Sequence, residues 1–267
     1  TLYDKVGKPR QALRSLRRAA TYFPDSAAAG QAAARMRTLF RDLYLDPARP
    51  PLPPLEGLAL YEEFRELTPA GAEGNEVIER LADQLVDIDL LDRAAALLDH
   101  QVGYRLQGTE KARVGARLAL VYLLDRKPGE AIAALDRSGG AELSAEVEAQ
   151  RRHLRVRALA DLDRPEDGLA LIAEDDSQDA NRLRAEILWR QRDWQGAAEA
   201  LARLLPPPPA AGEAISQADS QQVINLSVAL TLAGMDKALA DLRERYGAAM
   251  AAGPHKEAFA LLAGDAA

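Results

Sequence analysis

The sequence has no cysteine, which excludes disulfides and thiolate metal sites while leaving reducing and oxidising compartments equally open. Aromatic residues are only 5% of its 267 positions, so a packed interior has to be built mainly from Ala and Leu. No apolar run approaches the roughly 18 to 20 residues of a membrane-spanning helix, and no basic-then-apolar opening marks a signal peptide. Histidine occurs three times, at His100, His153 and His255, each isolated and outside any His-Glu-x-x-His pattern. Phosphate-cradling, dinucleotide-binding and nucleophile-elbow glycine motifs are also missing. We therefore expect no catalytic residues, no cofactor and no metal. Basic excess is lacking too: a net charge of −7 and a pI near 5.2 argue against general nucleic-acid binding, which depends on phosphate neutralisation.

What the chain does have is amphipathic helix, repeated. From Gly115 to Ser138 the spacing predicts two helices around a tight turn. Leu118, Ala119 and Tyr122 share one stripe, Ala131 and Leu135 another, and Pro128 sits near the start of the second helix, where its missing N–H costs nothing. A small residue recurs at the same place of successive second helices, at Gly57, Ala94, Ala131 and Gly168, each 37 residues after the last. These positions resemble the tetratricopeptide repeat, in which Leu, Gly, Tyr, Ala and Phe occupy the places held here by Leu118, Ala119, Tyr122, Ala131 and Leu135. Tyr3, Gly7, Ala12, Leu16, Ala19 and Pro24 fit the second half of one such unit, and Ala185, Leu188, Trp194, Ala197 and Leu201 fit another. With the first helix of the opening unit missing and Thr at position 1, the chain is expected to be a fragment of a larger repeat protein.

The expected fold is all-α: a right-handed superhelix of about fourteen helices in antiparallel pairs, a tetratricopeptide-like solenoid. We divide it into a partial N-terminal unit at 1–24, central repeats at 25–205 with a proline-rich connector at 46–54, and a proline linker with a C-terminal helical cap at 206–267. Asn225-Leu226-Ser227 matches a glycosylation acceptor by letter but falls in a predicted helix and is assigned no function. The acidic run from Glu174 to Asp179 lacks the glycine and distant glutamate of an EF-hand and reads as a helix cap.

The resemblance implies a non-catalytic protein–protein interaction scaffold whose concave groove, lined by first helices, holds a peptide or helix of a partner. Charge is segregated along the chain, with eight acids against two bases from Gly71 to His100, and Arg151, Arg152, Arg155 and Arg157 gathered around His153. Carrying the family's groove positions onto this sequence selects Arg113 and Arg117, then His153 and Arg157, then Arg182, Trp189 and Arg190 as partner-binding residues. Glu76, Glu79, Asp83 and Asp87 fall at equivalent places in the preceding repeat. The expectation is a two-signed groove whose basic middle receives an acidic segment, with Trp189 adding an apolar or cation–π contact. The paired asparagine of the family's clamps for C-terminal carboxylates is not repeated. Two other classes are weighed: a single-stranded RNA-binding helical-repeat protein and an all-α enzyme without a recognisable motif. The compartment stays open between cytoplasm and periplasm, and the sequence sets no oligomeric state. A bacterial envelope or motility assembly is the setting we name, with no residue carrying that choice.

Overall fold

The computed structural model describes residues 3, 7–22, 24–140, 142–210, 213 and 215–263. The remaining positions of the expected N-terminal unit and C-terminal cap lie outside the described residues. Among the described residues there are fourteen α-helices and no strand. Seven lie wholly before residue 145: α1 (Pro9–Tyr22), α2 (Ala27–Leu45), α3 (Pro54–Glu63), α4 (Ala72–Asp87), α5 (Leu91–Tyr104), α6 (Gly108–Leu124) and α7 (Pro128–Arg137). The others are α8 (Ala145–Asp161), α9 (Pro165–Leu171), α10 (Gln178–Arg190), α11 (Trp194–Leu204), α12 (Gln217–Leu232), α13 (Asp236–Ala251) and α14 (Lys256–Ala263). Backbone contacts divide the chain into two compact units, Thr1–Arg151 and Arg152–Ala267. The division falls within α8 and at neither proline segment. Inside each unit, helices adjacent in sequence pack on one another: α1 on α2 and α4 through α7 in succession, then α10 through α14 in succession.

The prolines act as expected, with one adjustment. Residues 46–53 and 205–210 are non-helical, because proline lacks the N–H a helix interior needs. Pro54, however, opens α3 rather than ending the connector, as Pro128 and Pro165 open α7 and α9. Other helices start on side-chain caps: the Oγ of Ser26, Ser177 and Ser216 and the carboxylate of Asp193 each accept a backbone N–H three residues on.

Five turns between paired helices share one geometry. The N–H groups of Leu90, Lys127, Arg164, Asp193 and Met235 donate to the carbonyls of Leu85, Tyr122, Leu159, Leu188 and Leu230 at 2.8 to 2.9 Å. The residue before each donor is left-handed: Asp89, Arg126, Asp163, Arg192 and Gly234, with φ between 55° and 65°. This is the Schellman ending, which satisfies helix carbonyls that would otherwise go unpaired. Steps of 37 residues from Asp89 to Arg126 and from Arg126 to Asp163 repeat the spacing of the small anchors. Four of the five residues are not glycine, and a left-handed L-residue costs roughly 1–2 kcal/mol, of which glycine's unfolded-chain freedom returns about 0.5–1 kcal/mol. Arg126 is exposed, so Arg126→Gly is expected to stabilise the chain by about 1 kcal/mol in urea unfolding. Ala133→Gly, exposed inside α7, should move the midpoint the other way.

The anchors lie where paired helices approach closely. Ala94, Ala131 and Ala197 are fully buried, and a Cβ on Gly168 would come within 3.2 Å of the Val156 carbonyl oxygen. Tyr122 departs from the expected stripe, being only half-buried in the last turn of α6 beside the hairpin loop. Three arginines close the helix ends. Arg105 donates to the Pro69 carbonyl at 2.7 Å, Arg151 to those of Leu135 and Ala112 at 2.5 and 2.6 Å, and Arg184 to those of Ile172 and Asp175 at 2.6 and 3.3 Å. The Leu135 and Ile172 carbonyls lie at the C-terminal ends of α7 and α9, where positive charge is favourable.

Candidate functional site

In the first unit, α2, α4 and α6 are the first helices of successive pairs. Glu76, Glu79, Asp83 and Asp87 are spaced to share one side of α4. Arg113 of α6 grips Glu79 through both terminal nitrogens, at 2.8 and 2.9 Å, and also meets Glu110. The hydrogen bond to Glu79 is the main reason its guanidinium titrates above the ordinary arginine value. Arg117 pairs with Asp83, and Arg80 with Glu76 at 2.6 Å. Arg113 and Arg117 of the expected basic middle are thus matched, one helix to the next, by the acids expected to form a separate block. Opposite charges at equal offsets on neighbouring helices meet across the stack and neutralise each other.

Between α2 and α4 lies an open cleft of 370 Å³. Leu43, Tyr44 and Leu52 supply apolar wall, and Arg80, Asp83 and Gln84 the charged and polar side. The non-helical connector, which turns at residues 46–49, forms its outer wall, and the Tyr44 hydroxyl ties α2 to α3 by donating to the Gly57 carbonyl at 2.7 Å. Burial pushes the Tyr44 phenol well above its ordinary value, so it stays a donor throughout the accessible pH range.

The second unit holds the other expected residues. His153 and Arg152 both reach Asp175, at 3.1 and 3.0 Å. Arg182 pairs with Asp179 in its own first turn, and Arg190 with Asp161 and Glu186. Trp189 meets Trp194 edge to face, with ring centroids 5.3 Å apart, and packs against the core rather than standing free for a ligand. Arg157 alone among the expected residues is exposed without a partner among the described residues. A second cleft, of 260 Å³, opens between α11, α12 and α13 over Leu226, Leu230 and Met235, with Asp241 and Arg245 at its edge.

Asp175 is the most perturbed carboxylate of this unit. Hydrogen bonds from Ser177, and next from His153 and Arg152, hold it well below the usual aspartate range. A lowered folded value means its contribution is present above the unfolded value of about 4 and is lost as pH falls through the folded one. Acid unfolding below about pH 4 should therefore be shallower in Asp175→Asn, read by circular dichroism against pH.

Another charged cluster was not anticipated. Arg10, Arg14 and Arg17 of α1 converge on Glu63 at the end of α3. Its sequence signal is the run of five bases without an acid at residues 7–22, but the carboxylate that organises it lies about fifty positions away.

Comparison with protein-family models, with curated proteins and with solved structures finds no match to this chain. Among the described residues no helix is long and apolar enough to cross a membrane.

Proposed function

We propose that the chain is a non-catalytic scaffold of the tetratricopeptide-like kind, holding a peptide or short helix of a partner protein against the first helices of one unit. The observation that supports this most is the cleft between α2 and α4, walled by the non-helical proline connector. Stacked hairpins bury their own apolar stripes, yet this opening leaves Leu43, Tyr44 and Leu52 as an apolar seat within a charged frame. Its 370 Å³ is of the size that receives side chains of a ligand. The repeated turns and small anchors support the family reading, because they recur at the same period as the sequence pattern.

Peptides selected on the folded chain by phage display test the proposal. Gln84→Trp fills the cleft from a half-buried position on α4 and should leave the melting temperature nearly unchanged. Selected peptides are expected to bind this variant at least tenfold more weakly, by about 1.4 kcal/mol or more; equal affinity would remove the cleft from consideration.

A further inference from the structure

The cluster on α1 has a use that the cleft does not absorb. Residues 7–22 carry Lys8, Arg10, Arg14, Arg17 and Arg18 and no acid, in a chain of net charge −7, so the rest carries −12. Arg10, Arg14 and Arg17 fall at i, i+4 and i+7, on one side of the helix. The Glu63 carboxylate, only 15% exposed, accepts from Arg10 Nε at 2.6 Å and Arg14 Nε at 2.5 Å, and lies 3.6 Å from Arg17 Nη2. Arg17 is also held by the Glu63 carbonyl at 3.3 Å and lies over the Phe64 ring at 4.7 Å. Glu66, 3.9 Å from Arg17, is the other acid paired with this group.

The geometry leaves donors over. Arg10 and Arg14 each spend only Nε on Glu63, and their terminal nitrogens have no acceptor among the described residues. Both side chains are about half exposed, at 48% and 53%. A guanidinium fork takes an oxyanion through two parallel hydrogen bonds, and here two forks one helical turn apart are held by a shared carboxylate. Among the described residues two paired acids stand against five bases, which leaves the surface positive.

We propose that this comb docks an acidic segment of a partner protein, whose carboxylates take the outward forks of Arg10 and Arg14. Carboxylates at i and i+4 of a partner helix have a matching separation, about 5 to 6 Å between side-chain origins. A short segment is favoured over a nucleic acid or an anionic membrane. An extended polyanion would also press on the surrounding chain, which carries −12, whereas a short segment keeps its charges within roughly one screening length of 8 to 10 Å.

The test uses the whole chain and a labelled 12-residue peptide with glutamates at i, i+4 and i+7 in an alanine and glutamine background, read by fluorescence anisotropy. Saturable binding is expected. Arg10→Lys with Arg14→Lys, which keeps the charge but removes the forks, should weaken it at least tenfold. Glu63→Gln should also weaken it, although it makes the surface more positive, while Gln84→Trp leaves it unchanged. Undiminished binding by the lysine pair, or tighter binding by Glu63→Gln, would show that net charge alone acts and would overturn the proposal. Oligothymidylate or phosphatidylglycerol vesicles that bind more tightly than the peptide would overturn it in favour of a polyanion site. Should either variant melt α1, amide exchange of residues 9–22 in the unaltered chain decides: slowing on peptide addition supports docking, and no change refutes it.

Discussion

Gly115→Ala is expected to cost about 3 kcal/mol of unfolding free energy, the upper part of the usual range for overpacking. Gly115 lies on α6 opposite Ser138, the residue that ends α7, and an added Cβ would overlap both Oγ and Cβ of Ser138. Ser138 cannot turn away. It is buried, its hydroxyl donates to the Ala134 carbonyl at 2.6 Å and accepts from Arg151 at 3.0 Å. The two helices therefore have to separate, and Arg151 loses its carbonyls as they do. Ser138→Gly removes both overlapping atoms and should recover most of the loss in the double variant, giving a coupling of about 2 kcal/mol in a double-mutant cycle. Urea unfolding of the four proteins checks it. A Gly115→Ala midpoint equal to that of the natural chain would mean that α6 and α7 are not this close.

Tyr246→Ala should be as damaging in the second unit, at about 4 kcal/mol. The ring is fully buried on α13, in one cluster with Ile215, Leu226, Leu242, Met250 and Phe259. Its hydroxyl donates to the Pro206 carbonyl, so the same residue anchors the proline linker. Tyr246→Phe separates the two roles. It keeps the ring, leaves the Pro206 oxygen without its donor, and should cost about 1 kcal/mol while speeding protease cleavage near residues 206–210. Cleavage at the natural rate in Tyr246→Phe would show that the linker is held by something else.

The sequence announced the hairpins through features that act locally. Pro128 at a helix start, and Ala94 and Ala131 at crossings, report a single backbone position each and were readable as such. The left-handed turn residues were not readable. At Asp89, Arg126 and Asp163 the conformation is imposed by the hydrogen bond from the following residue, and an aspartate or arginine there carries no glycine signal. The ion pairs made by Arg113 and Arg117 went unread for a related reason. Acids from Gly71 to His100 and arginines further on look like two blocks along the chain, yet neighbouring first helices put Glu79 beside Arg113 and Asp83 beside Arg117. Trp189 was selected by the groove positions carried over from the family, and Trp194, five residues later, returns across the turn to pack against it. The arginines of α1 were visible as a periodic row; what makes them a fixed array is Glu63, which no local pattern connects to them.

Arg105, Arg151 and Arg184 each hold main-chain oxygens besides the side chains of Asn75, Ser138 and Asn181, and the main-chain part of the grip is indifferent to the identity of the residue that offers the oxygen. Pro69, Leu135 and Ile172 offer no polar side chain, yet all three are fastened by the same group. The main-chain part of such a join leaves no matched pair of letters in the chain. Repeats so fastened are free to drift apart in sequence while the arginine persists, and two such chains can share a scaffold long after their alphabets have ceased to agree.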